Sequence, residues 1–137
     1  MIDIRLYRMD DELEVTQLWK KVFPETLLHN DPIRDIQSKL KIQPGLFLVA
    51  VNDHLLVGTA MAGFDGHRGW VYYLAVDPAY RRQGIGTALM KKAENLLAHM
   101  SCSKVNLQIR ANNSDRQAFY EKLGHIVEER ISMGKKL

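Results

Sequence analysis

Cysteine is nearly absent from this chain. Cys102 stands alone among 137 residues, so no internal disulfide can form and no cysteine cluster can hold a metal. Histidine offers no replacement: His29, His54, His67, His99 and His125 include no close pair at metal-ligand spacing. Long apolar runs are missing too, since none approaches the ~20 residues of a membrane span. The opening residues, Met1 to Arg8, carry charges where a secretory signal would need an apolar core. A cytoplasmic, reduced setting is the expectation. Excess charge is also lacking. The net charge is +3, and the basic residues form scattered doublets rather than a stripe, which argues against a nucleic-acid partner. No repeat, low-complexity segment or flexible linker breaks the sequence, so one domain over residues 1–137 is expected.

What is present is an ordinary globular composition, 46% hydrophobic and 26% charged, on a chain long enough for one core. Ile2, Ile4 and Leu6 alternate with Asp3 and Arg5 as a first strand. Asp10 stands where a helix cap belongs, ahead of Val15, Leu18, Trp19, Val22 and Phe23 at helical spacing. Asp31-Pro32 opens a second helix with Ile33, Ile36 and Leu40 on its buried side, and Pro44-Gly45 stops it. Three strands are expected next, Leu46 to Val51, Leu55 to Phe64 and Trp70 to Val76, joined by turns short enough for antiparallel hairpins. Ile85, Leu89, Ala93, Leu96, Leu97 and Met100 define a long amphipathic helix. Val105, Leu107 and Ile109 alternate as another strand. Ser114 and Gln117 form a capping box for a helix closed by Gly124, and a strand from His125 to Met133 completes the order. Hairpins followed by strand-helix alternation imply a mixed sheet flanked by helices.

The chemistry lies where the glycines fall. The strand ending at Val76 leads through Asp77-Pro78-Ala79-Tyr80 to Arg81-Arg82-Gln83-Gly84-Ile85-Gly86-Thr87 at the mouth of the long helix. A helix start exposes unpartnered backbone N–H groups and a partial positive charge. Glycines let the main chain approach a ligand, and Arg81 and Arg82 add charge-assisted donors, so the segment suits a phosphate or pyrophosphate. Two familiar phosphate motifs fail. Leu89 stands where a dinucleotide fingerprint needs its third glycine, and no Lys-Ser/Thr follows as in a P-loop.

The run Leu74-Ala75-Val76-Asp77-Pro78-Ala79-Tyr80-Arg81-Arg82-Gln83-Gly84-Ile85-Gly86 resembles the central motif of the GNAT superfamily of N-acetyltransferases, Arg/Gln-x-x-Gly-x-Gly/Ala after a strand. Asn113 and Tyr120-Glu121-Lys122-Leu123-Gly124 resemble the family's Asn-x(6)-Tyr-x-x-x-Gly helix. His125 departs from the family's usual aromatic residue after that glycine. The resemblance implies a single α/β (α+β) domain with a central splayed sheet of about six to seven strands and about four helices. It implies acetyl-CoA as co-substrate, with no metal. The backbone of Arg82, Gln83, Gly84, Ile85, Gly86 and Thr87 would hold the pyrophosphate, with Arg81 beside it. Leu74, Ala75 and Val76 would meet the pantetheine arm and polarise the acetyl carbonyl. Asn113 would contact the cofactor, unless it is a helix cap.

The implied reaction is acetyl transfer to a primary amine by direct attack in a ternary complex. A lysine-like amine titrates near ~10.4 and must lose a proton, whereas thiols titrate near ~8.5 and leave more readily. Tyr120 matches the family position that gives a proton to sulfur; a core tyrosine beside Phe119 and Leu123 is the alternative. No carboxylate lies between Gly69 and Val76 to serve as base. Asp65 or His67, Tyr72 or Tyr73 acting with water, and a water chain to bulk are all open, so no base is assigned, with a plain turn the simpler reading of Asp65-Gly66-His67. Asp31, Asp35, Asp65 and Glu25 could attract a cationic acceptor, whether small molecule or peptide. A non-catalytic acyl-CoA-binding module and a protein N-terminal acetyltransferase stay open, as does a homodimer.

Overall fold

The computed structural model describes residues 1–25 and 30–137, so His29 lies outside the described residues. It divides into two compact units, Met1–Leu107 and Gln108–Leu137. The first holds a five-stranded sheet in the order β1-β2-β3-β4-β5, formed by Ile2–Leu6, Phe47–Asn52, Leu55–Phe64, Gly69–Val76 and Val105–Asn106. Neighbours run antiparallel from β1 to β4, with short hairpin loops joining β2 to β3 and β3 to β4, and β4 and β5 run parallel. The parallel pair needs a crossover, which helix α3, Ile85–His99, supplies. Ile85, Leu89, Met90, Ala93 and Leu97 line its buried side; of the expected stripe Ile85, Leu89, Ala93 and Leu97 are buried, Leu96 is partly buried, and Met100, past the helix end, is exposed. The class is the mixed-sheet, four-helix fold expected.

Helices α1 (Glu12–Val22) and α2 (Pro32–Lys41) contribute to a core of Val15, Leu18, Trp19, Ile36, Phe47, Val49 and Met61. Asp31 caps α2 by accepting from the amides of Ile33 and Arg34, so the expected start signal operates. The α1 start differs from expectation. A 3-10 turn over Met9–Asp11 precedes the helix, and the carboxylate at its mouth belongs to Asp11 rather than Asp10. Asp11 accepts from the Arg8 amide at 2.8 Å and from both guanidinium arms of Arg5 at 2.8 and 3.0 Å. Burial alone would raise its pKa, but those donors hold the carboxyl below the usual range. Ile33 points out, 44% exposed, leaving Ile36 as the buried residue of α2.

The strand count is five rather than six to seven, and one of the five is shorter than expected. The strand expected over Val105–Ile109 is Val105–Asn106, paired only with Gly69 and Trp70. The strand expected over His125–Met133 does not form. Ile126, Val127, Ile131 and Met133 stand exposed there, and apolar residues without a pairing ladder and a face to cover are not enough for a strand.

The second unit is built on α4, Ser114–Lys122. Its C-terminus closes with Gly124 at φ +95°. The His125 amide bonds to the Tyr120 carbonyl and the Gly124 amide to Glu121, a Schellman arrangement. Among the described residues no helix is long and apolar enough to cross a membrane.

Candidate functional site

Strand β4 carries an interruption in its register. Thr59 pairs with Ala75 but Met61 pairs with Tyr72, so two residues, Tyr73 and Leu74, face one on β3. Tyr73 adopts φ +51°, an unusual backbone for an aromatic residue, of a kind that costs roughly 1–3 kcal/mol and persists only where surroundings enforce it. Those surroundings are present. The Thr59 hydroxyl donates to the Tyr73 carbonyl at 2.8 Å and accepts from the buried Trp19 indole at 2.9 Å. The Trp19 and Tyr73 rings stack with centroids 3.8 Å apart. The Tyr73 hydroxyl donates to Asp35 on α2 at 2.7 Å. The bulge therefore re-aims the last residues of β4, Leu74, Ala75 and Val76, from a fixed base.

Past Val76 the chain turns through Pro78–Tyr80. Asp77 caps this turn by accepting from the Ala79 amide at 3.0 Å, and takes an ion pair from Lys21 of α1 at 2.9 Å. The Ala79 amide first, then Lys21, hold its carboxyl below the usual range. Arg81, Arg82 and Gln83 follow on the surface, with Arg82 at φ +64°. Gly84 sits at φ +79° as the residue before α3, and no atom lies within 4 Å of where its Cβ would stand. A left-handed residue in open space is what glycine accommodates without strain. Ile85 is buried, while Gly86 and Thr87 share with it the first turn, whose amides lack intrahelical acceptors. Ten of the expected site residues thus form one continuous strand-turn-helix.

Gly58 sets how closely this assembly packs. A Cβ there would meet the Ala75 carbonyl oxygen at 3.1 Å and Leu89 of α3 at 3.1 Å.

Beside β4 lies a cavity of about 490 Å³, within the range of small-ligand sites. Phe23, Ile42, Met61, Tyr72 and Tyr73 give it apolar and aromatic walls, and Asp35 and Lys39 put two opposite charges on them. Burial, then the bond to Asp35, push the Tyr73 hydroxyl well above its ordinary titration range. Of the turn candidates, Asp65 accepts from the amides of His67 and Arg68 at 2.8 and 2.7 Å, the plain turn foreseen as the simpler reading.

The remaining expected residues belong to the second unit. Asn113 is the N-cap of α4, accepting from the Arg116 amide at 3.1 Å, one residue earlier than the Ser114 capping box anticipated. Tyr120 is buried, with its ring edge-on to Phe119 and His125. Burial raises its pKa against a smaller opposing influence of Arg116, so the hydroxyl keeps its proton at neutral pH. Sequence reasoning had not singled out Lys39, Thr59 or Met61. Thr59 gives no sequence signal, and Lys39 could have been found from its i, i+4 spacing to Asp35 on α2.

Residues 13–125 match the family described as Acetyltransferase (GNAT). An acetyltransferase of Yersinia pestis (strain Pestoides F) is 41% identical over 138 residues, with 99% of this chain and 96% of the relative covered. An acetyltransferase of Sodalis glossinidius is 42% identical over 139 residues at the same coverage. The aminoglycoside N-acetyltransferase AAC(6')-Iy, solved with the bisubstrate analogue CoA-S-monomethyl-acetylneamine, superposes with a TM-score of 0.83. That match covers 100% of this chain and 99% of the other at 18% identity, a likeness of fold. A glycine-opened helix after a bulged strand, with matches along nearly the whole chain, identifies an acyltransferase of the acetyltransferase (GNAT) family.

Proposed function

We propose that residues 1–137 form one acetyl-CoA-dependent N-acetyltransferase domain that moves an acetyl group onto a primary amine by direct attack in a ternary complex. The carrying observation is the continuous segment from Leu74 to Thr87, in a chain of this family. Its fit to coenzyme A rests on the exposed loop of Arg81, Arg82 and Gln83, the open space over Gly84, and the first-turn amides of Ile85, Gly86 and Thr87. These would take the pyrophosphate, with the guanidinium groups as further donors. Main-chain groups of Leu74, Ala75 and Val76 would bind the pantetheine arm and polarise the thioester carbonyl. Asn113 would add a contact from the residue that caps α4. The AAC(6')-Iy structures, which contain CoA or a CoA conjugate, support this donor.

In the reaction the neutral amine attacks the thioester carbon and the C–S bond breaks toward sulfur. Tyr120, whose burial keeps its hydroxyl protonated, gives that proton to the departing thiolate. Tyr73 is badly suited to be the base, because burial and Asp35 both oppose its ionisation. Replacing Tyr120 with Phe should lower kcat at saturating acetyl-CoA by about 10²-fold or more, with a much smaller change in KM for acetyl-CoA. Equal turnover in Tyr120→Phe removes the tyrosine from this role.

A further inference from the structure

The cavity beside β4 holds two opposite charges that do not meet. Asp35 and Lys39 are four residues apart on α2, a spacing at which acid and base commonly pair. Here they do not. One Asp35 oxygen accepts from the Tyr73 hydroxyl, and Lys39 forms no ion pair among the described residues. The Lys39 ammonium extends instead toward β3, 3.5 Å from where a Cβ on Gly63 would stand. Half-burial pushes its titration down, the mark of a charge that has lost water without gaining an anion. The same cavity is walled by Met61, Ile42 and the aromatic side chains of Phe23 and Tyr73.

The register gives these charges an order. Tyr73, and with it Asp35, adjoins Leu74 at the end of β4 proposed for the donor, whereas Gly63 pairs with Trp70 farther back along the same strand. An acceptor lying in this cavity would have its amine at the Asp35 end and an anion at the Lys39 end. We propose that the acceptor is a small amino carboxylate, with an apolar body joining a primary amine held at Asp35 to a carboxylate held by Lys39.

This inference rests on the acetyltransferase reading and specifies its substrate class. The N–C bond forms as the thioester C–S bond breaks, the sulfur leaves with the electron pair and is protonated, and one proton is released overall from the initial ammonium. An acceptor with several cations and no carboxylate would set a positive group against Lys39 and leave the lysine without a partner. Aminoglycosides, the substrates named for AAC(6')-Iy, are of that kind.

The test is thiol release from acetyl-CoA with matched acceptors: 4-aminobutyrate and propylamine, 6-aminohexanoate and pentylamine, lysine and cadaverine, and neamine. The amino carboxylates should exceed their decarboxylated partners in kcat/KM by about tenfold or more, the worth of one charge-assisted contact. In Lys39→Met that ratio should collapse toward one. In Lys41→Met, altered at an exposed lysine of the same helix, it should persist. Melting curves verify that both variants fold. Equal or better turnover of the decarboxylated amines or neamine overturns the substrate class and leaves the acetyltransferase reading standing. A ratio unmoved by Lys39→Met overturns the role of the lysine. No thiol release from any of these acceptors, with acetyl-CoA binding saturable by calorimetry, overturns the substrate class.

Discussion

Thr59 occupies a position where a single hydroxyl satisfies two buried groups. It is fully buried, accepts from the Trp19 indole and donates to the carbonyl of Tyr73, whose backbone is held in a left-handed conformation. Valine has nearly the same shape and neither capability. Thr59→Val should therefore destabilise the fold by about 2 kcal/mol, because a buried donor and acceptor lose their partner together. Urea unfolding followed by Trp fluorescence measures this, and the same variant should loosen the bulge that aims Leu74. Little of this was legible in the sequence. Forty residues separate Trp19 from Thr59, and Tyr73 lies in an apolar run that looks like plain strand. Nothing local marks a bulge when no glycine supplies the positive φ.

At the scale of elements, the turn between β4 and α3 is fixed at its entrance rather than along its length. Asp77 holds it through a backbone cap and through Lys21 of α1, while Arg81, Arg82 and Gln83 have no such burial. Asp77→Ala should cost about 1 kcal/mol, the usual worth of a lost cap. It should also raise the dissociation constant for acetyl-CoA, measured by calorimetry, because the donors beyond it lose their registration with the strand end. Unchanged affinity would mean that the loop is ordered by its helix alone. The elements around this turn were the readable part of the sequence. Asp31-Pro32, the Leu55 to Phe64 run and the apolar stripe of α3 each carry their signal within a few residues, and each appears as expected. The stretch from His125 to Met133 shows the opposite case. Its apolar residues suggest a strand, but a strand is a relation between two segments, and pairing cannot be read from one. The cavity was hidden for a similar reason, since its wall joins side chains from α2, β3 and β4.

For the whole molecule, stability should fall toward both extremes of pH. Asp11, Asp65 and Asp77 titrate below the ordinary carboxylate range in the folded state. Their contribution is present above about pH 4 and is lost as pH falls through their depressed folded values, where the unfolded chain binds protons first. On the alkaline side, burial with the nearby charges of Glu12 and Asp11 pushes Tyr7 up to about 12, and Tyr73 is raised as well. Above about pH 10 the unfolded chain releases these protons and the folded one does not, so stability declines again. Melting temperatures across the range should trace a plateau between these limits. Within that plateau the geometry of the proposed donor site depends on an atom that is not there. The missing Cβ of Gly58 sets the spacing between the carbonyl of Ala75 and Leu89, and so between the end of one element and the body of the next. Strand and helix are spaced like jaws on a gauge whose setting is one hydrogen, and a single methyl group would reset it from behind, without touching the ligand.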